Sequence, residues 1–151
     1  LKRILWASSQ APEMNKALSD WIAGHVWGDE RKLPEKCVCM GVFERGTLQG
    51  AIAFHDWNPH AGVIEFSGAS ISKRWLSRGV LAVMADYVFN QLGCQLVIAK
   101  IAADNTPLVR MFRATGFAEA LIPRLLGRDR DAILMSLTIE TWRASRWHKD
   151  S

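Results

Sequence analysis

Apolar and polar residues alternate over short stretches in some parts of the chain and recur at helical spacing in others. Residues 2–8 read as a first strand. From Pro12, the residues Met14, Leu18, Trp21, Ile22 and His25 recur as one helix face, so a helix is expected with His25 half-buried on its stripe. The segment GDERKLPEK at 28–36 is polar, carries Pro34 and reads as a loop. CVCMGVF and LQGAIAF, joined by the turn Glu44-Arg45-Gly46, predict a β-hairpin. HDWNPHAG at 55–62 reads as a turn. VIEFSGASI at 63–71 reads as the next strand, where Gly68 signals a bulge or a close backbone approach. Leu76, Val80, Val83, Met84, Tyr87 and Val88 form the inner stripe of a long helix over 74–92, stopped by Gly93. LVIAKIA at 96–102 is apolar enough for a central strand covered on both faces. Asn105-Thr106-Pro107 opens a short helix that ends at Gly116, and two strands follow over 117–126 and 132–138.

The order is β, α, three strands, α, β, α, β, β. It predicts an α+β layered fold, with a mixed, mostly antiparallel central sheet of about seven strands flanked by helices. The strand–helix–strand unit over 63–102 should be a right-handed crossover that makes its two strands parallel. A chain of 151 residues suits one domain spanning 1–151.

Composition narrows the function classes. With 49% hydrophobic and 23% charged residues the chain can fold on its own core, yet it has no apolar run long enough to span a membrane. LKRILWASSQ lacks the apolar stretch of a secretory signal, and a start at Leu1 rather than Met leaves room for residues upstream. Cys37, Cys39 and Cys94 are an odd set without framework spacing. They predict buried free thiols and a reducing, cytoplasmic setting, with no metal site. The net charge of +4 and pI of 9.2 suit a polyanionic ligand. The tail WRASRWHKD mixes rings and cations, as single-strand binders do, but a solvated terminus explains it as well. No nucleic-acid or membrane partner is expected, and a homodimer is compatible with the composition.

The segment ISKRWLSRGVL at 71–81 joins a strand to a helix, with Lys73, Arg74 and Arg78 beside Gly79. A helix start exposes unpaired N–H groups and the positive end of the helix dipole, both of which favour an anion such as a diphosphate. An ordinary basic connection would look the same. Glu65 sits in the apolar strand VIEFSGA, where burying a carboxylate is costly, and partial desolvation would suit it to proton abstraction. A solvent-facing strand residue is the alternative.

The stretch from Glu65 to Phe117 resembles the coenzyme-A-binding core of the GCN5-related N-acetyltransferase (GNAT) superfamily. The matching features are Ile71, the aromatic Trp75, the loop Leu76–Leu81 with Gly79, the strand LVIAKIAADN with Asn105, and FRATGF closing on Gly116 and Phe117. The loop departs from the family pattern at Leu76 and Leu81, where relatives carry Gln or Arg and Gly or Ala. Leu81 can either crowd the helix start or turn inward. The resemblance implies transfer of an acetyl group from acetyl-CoA to a primary amine; the alternative is a weak or inactive module on the same fold. It implies that Ala69, Ser70 and Ile71 receive the pantetheine arm and that the amides of Arg78, Gly79, Val80 and Leu81 hold the diphosphate. Arg74, Asn105 and Phe112 are counted as further cofactor contacts. Glu65 occupies the general-base position. Phe112 stands where many relatives have a proton-donating Tyr; Tyr87 reads as core, and His55, His60 and Cys94 stay open as donors. An acceptor amine would meet the first helix, the 28–36 loop and the region 121–131. Asp29, Glu30, Asp56, Trp21, Trp27 and Trp57 are candidates there, although each also reads as surface or packing.

Overall fold

The computed structural model describes residues 2–28, 30–72 and 75–149. Seven strands form one sheet in the order β1-β2-β3-β4-β5-β7-β6. They are β1 (Lys2–Ala7), β2 (Cys37–Glu44), β3 (Thr47–Asn58), β4 (Val63–Ser70), β5 (Leu96–Ala102), β6 (Ala118–Gly127) and β7 (Arg130–Thr138). The helices are α1 (Pro12–Val26), α2 (Arg78–Ala85), α3 (Thr106–Thr115), α4 (Ile139–Ala144) and α5 (Arg146–Lys149). The sheet is mixed and mostly antiparallel, as the alternation in the sequence predicts. The chain folds as two compact units, residues 1–57 with 65–81, and residues 58–64 with 82–151.

In the first unit β1 pairs antiparallel with β2, and β2 with β3, placing Cys37 opposite His55 and Cys39 opposite Ala53. One face of these strands carries Cys39, Ala51 and Ala53, which pack with Leu18, Ile22 and Ala23 of α1. The buried face of α1 is therefore Asn15, Leu18, Ile22 and Ala23, one position round from the expected stripe. Met14 is 43% exposed, and His25 is exposed with Nδ1 against the Trp21 carbonyl at 2.8 Å. The shift has a polar cause. Asn15 donates from Nδ2 to the Cys37 carbonyl at 2.9 Å and accepts from the Cys39 amide at 3.2 Å, tying α1 to β2. The opposite face stacks Trp6 on Phe54, ring centroids 6.0 Å apart, with Phe66 beside it.

Three other expectations are corrected. β3 continues through His55 to Asn58 instead of turning at 55. The helix expected over 74–92 begins at Arg78, because Ser77 caps it: Ser77 Oγ accepts from Val80 N at 3.3 Å and its carbonyl from Leu81 N at 3.0 Å. The helix then widens into a π-helical turn over Asp86–Gln91, where Asp86 accepts from both Asn90 and Gln91 at 2.8 Å. The buried set becomes Met84, Ala85, Val88 and Phe89, leaving Val83 and Tyr87 half-buried.

In the second unit β5 pairs antiparallel with β7, and β7 with β6. Val97, Ala99 and Ile101 are buried while Lys100 is exposed, so β5 alternates where a continuous apolar strand was expected. β6 is an edge strand carrying Pro123, a residue whose missing N–H an edge tolerates. The expected solvated tail instead forms α4 and α5 and buries Trp142 to 5% exposure.

Candidate functional site

β4 ends immediately before the loop that leads into α2. Ile71 continues its pairing with β3, its amide donating to the Gln49 carbonyl at 2.9 Å. Alternate residues of a strand present their backbone groups to opposite neighbours. Those of Ser70, which is exposed, therefore point away from β3, while Ala69 is half-buried and Ile71 is 60% exposed. Gly68 confirms a close approach: a Cβ there would stand 3.2 Å from the Ala51 carbonyl oxygen and 3.3 Å from Ile52.

Trp75 is 7% exposed and lies over Gly50 of β3. A Cβ on Gly50 would come within 2.5 Å of the indole, so only glycine leaves room for the ring. Ser77 then caps α2 as described. The amides of Val80 and Leu81 are thus engaged by Ser77, and their side chains are buried at 2% and 5% exposure. Leu81 turns inward, so its side chain does not cover the helix start. Arg78 and Gly79, the first two residues of α2, are exposed. The direction of a Cβ on Gly79 is open, with Ser77 Oγ its nearest neighbour at 3.8 Å. Lys73, Arg74 and Asp29 lie outside the described residues.

Glu65 is 9% exposed on β4. Side chains alternate along a strand, so Glu65 and Ser67 lie on the same face as Ala69, which packs against the α1 cluster. His55 follows Ala51 and Ala53 on that face of β3. It is 5% exposed, with Nδ1 at 2.5 Å from Asp56 Oδ2 and Nε2 at 2.8 Å from Ser67 Oγ. One ring nitrogen of His55 and one carboxylate oxygen each of Asp56 and Glu65 lie within 4.8 Å of one another. Tetrahedral zinc ligands stand roughly 3.4 Å apart. Both imidazole nitrogens, moreover, already have protein partners, so the array fits proton traffic better than a metal. Asp56, expected as a surface charge, is bonded to a buried histidine. The sequence carries a signal for this array: His55 continues the small apolar face of Ala51 and Ala53 on β3.

Of the free thiols expected to be buried, Cys39 and Cys94 are so, but Cys37 is half-buried. Cys37 and Cys39 Sγ atoms are 3.9 Å apart on one face of β2. A hydrogen bond from the Cys39 thiol, opposed by burial and aided by Asn15, lowers the Cys37 thiol to about 7. The same interaction, with burial, pushes the Cys39 thiol up. A lowered value means the fold favours the thiolate. Its contribution to stability is therefore present above the ordinary thiol value and lost as pH falls through about 7. Iodoacetamide should modify Cys37 first, with a half-maximal rate near pH 7, and Cys39→Ala should move that midpoint up toward the ordinary thiol value of about 8.5. Peptide mapping by mass spectrometry across pH checks it; equal rates at Cys37 and Cys94 would refute it.

In the second unit Asn105 caps α3, its Oδ1 accepting from Leu108 N at 3.4 Å, and Gly116 ends the helix at φ 107°. Phe112 is 3% exposed and packs edge-on against Phe117, centroids 4.9 Å apart, so its ring serves the core. Tyr87 is half-buried and Cys94 fully buried, while His60 is exposed. Around the expected acceptor region, Arg31 lies 5.6 Å over the Trp27 ring, Trp21 contacts His25, Glu30 is exposed and Trp57 is 50% exposed.

Seven strands in this order, with a capped helix following β4 and an Asn-capped helix following β5, define the fold of the GCN5-related N-acetyltransferases. YncA from Salmonella typhimurium, a candidate acetyltransferase solved with its cofactor acetyl-CoA, is similar with a TM-score of 0.69 at 18% identity over 92% of this chain and 94% of that one. A spermidine N-acetyltransferase SpeG variant from Vibrio cholerae gives 0.70 at 15% identity over 95% and 96%. A ribosomal-protein alanine acetyltransferase from Vibrio fischeri gives 0.68 at 13% identity over 93% and 94%. No family sequence model and no curated protein sequence matches the chain.

Proposed function

We propose that this chain is an N-acetyltransferase that moves an acetyl group from acetyl-CoA to a primary amine. The observation that carries the reading is the start of α2. Its first turn is capped by Ser77, its later side chains are buried, and Gly79 leaves the outer surface open to an approaching anion. A diphosphate fits there against the first-turn backbone of Arg78 and Gly79, with the amides of Val80 and Leu81 contributing only the helix-end field because Ser77 engages them. The outward backbone of Ser70, flanked by Ala69 and Ile71, takes the extended amide-bearing arm in the manner of an added strand. In the second unit Asn105, at the start of α3, is a further candidate for a cofactor contact, and Phe112 shapes that unit from within its core. Bound acetyl-CoA would supply the activated acyl thioester.

Glu65 accepts the proton that the amine loses on attack. The fold's solved neighbours include an acetyltransferase for spermidine, which supports a small or flexible amine as acceptor. The chain works as one acyltransfer domain.

Acetyl-CoA at about 100 times its dissociation constant should stabilise the chain by about 2.7 kcal/mol. Gly79→Asp should abolish that stabilisation while leaving the unliganded melting temperature within a degree or two. An open helix position accepts the new side chain, but its charge opposes an anion. Thermal melting of both proteins, followed by coenzyme-A thiol release with an amine panel, decides the matter. No shift for wild type refutes binding; a shift without thiol release across the panel leaves a binding module on the acetyltransferase fold.

A further inference from the structure

The acyl-transfer reading accounts for Glu65 but leaves the Ser67–His55–Asp56 array beside it without a task. We propose that this array is the proton relay of the site: Glu65 passes the amine's proton through the Ser67 hydroxyl to His55, whose imidazolium Asp56 holds. The proposal rests on the acyl-transfer reading and adds the route by which a buried base is reset.

The backbone carries the first argument. Neighbouring residues of a strand point to opposite faces, so His55 and Asp56 should not meet. They meet because Asp56 adopts φ 55°, a left-handed conformation that costs a non-glycine residue free energy and is found where surrounding structure enforces it. That break turns the Asp56 carboxylate onto Nδ1 of the preceding residue.

Polarity carries the second. A carboxylate only accepts, so Nδ1 bears the hydrogen and Nε2 of the neutral ring is the acceptor, facing a hydroxyl able to donate. His55 is thus set to take a proton at Nε2. A ring nitrogen of His55 and a carboxylate oxygen of Glu65 lie within 4.8 Å of each other, a span that one bridging hydroxyl can cover. Ser67 Oγ, already 2.8 Å from Nε2, is the hydroxyl at hand. Exposure carries the third. Glu65 and His55 are buried, while the Asp56 side chain is 61% exposed, so the array runs from the interior toward water. Among the described residues, the titratable groups facing His55 are Asp56 on its own strand, Glu65 on β4 and Cys37, its register partner on β2, and none of these three is a cation.

The proton count closes. The amine N–H breaks and a Glu65 O–H forms. That O–H then breaks as Ser67 Oγ gains one proton and gives its own to Nε2. The imidazolium returns the proton to solvent between turnovers, and Asp56 stays ionised throughout.

The test compares the full chain with His55→Gln, Asp56→Asn and Ser67→Ala. Asp56→Asn keeps a residue type that tolerates the left-handed backbone and removes only the charge. With acetyl-CoA and primary amines, kcat should fall about tenfold to a hundredfold in His55→Gln and less in the other two, with KM for acetyl-CoA unchanged. Imidazole added to His55→Ala should restore part of the rate, which a packing defect would not allow. A second measurement needs no turnover. In the 15N-histidine-labelled protein without ligand, the Nδ1–H resonance of His55 should move upfield and exchange faster in Asp56→Asn. Undiminished turnover in His55→Gln, or an Nδ1–H resonance unmoved by Asp56→Asn, overturns the relay while acyl transfer stands. A wild type that releases no thiol with any amine brings down the acyl-transfer reading, and the relay with it.

Discussion

Glu65→Gln is expected to lower turnover by about a hundredfold, with the melting temperature and acetyl-CoA affinity nearly unchanged. Glutamine has the size and much of the hydrogen-bonding capacity of glutamate but cannot accept a proton at neutral pH. Glu65 is 9% exposed on a strand face that it shares with Ala53, Ala69, His55 and Ser67, where a buried charge costs stability. Removing the charge should therefore leave the fold intact or slightly firmer. The loss falls on the barrier instead. General-base assistance is worth about 10²–10⁴ in rate, and a hundredfold corresponds to roughly 2.7 kcal/mol in the transition state. Coenzyme-A thiol release under saturating substrates measures the rate, and calorimetric titration with acetyl-CoA measures the affinity. Full turnover in the variant would remove Glu65 from the chemistry.

Gly50→Ala should cost stability and cofactor affinity together. The added methyl carbon would stand 2.5, 2.6 and 3.0 Å from three ring atoms of Trp75, against the roughly 3.5–4.0 Å of a carbon–carbon contact. The indole is rigid and 7% exposed, so it cannot yield by a rotation alone. Overpacking of this kind costs about 1–3 kcal/mol, which lowers the melting temperature of a chain this long by roughly 2–4 °C per kcal/mol. Trp75 also anchors the loop two residues before Ser77, the cap of α2. Moving the ring moves that cap, so binding weakens as well. Urea unfolding and acetyl-CoA titration check the pair, with Trp75→Leu as partner. If the clash is the cause, Gly50→Ala should cost much less in the Trp75→Leu background than alone. Additive losses would place the effect elsewhere.

Most of the sheet is legible from strand-length apolar runs, because the turns between them carry Gly, Pro or charge. Helix boundaries are less so. Leu76 extends the apolar stripe of α2 backward and hides Ser77, whose short hydroxyl side chain is the better start signal. The π-helical turn leaves no mark, since Met84 and Val88 fit an α-helical stripe too, and only Ala85 and Phe89 reveal the changed register. The C-terminal helices escape because basic residues surround the one buried ring, Trp142. Of the site, Glu65 stands out as a carboxylate among apolar neighbours. His55 with Asp56 does not, since adjacent strand residues are expected to diverge and a single left-handed φ reverses that. Asn15 escapes for a similar reason: a polar side chain on a buried helix face finds its partners in β2, distant in sequence.

The inward turn of Leu81 has a consequence for how such chains diverge. A helix start that shows its main chain to the outside and hides its side chains constrains shape but not letters. Substitutions at Leu76 or Leu81 that keep the interior filled pass unnoticed at the outer surface. The spelling of such a loop can then vary while its geometry persists, so chains with few letters in common can share one shape.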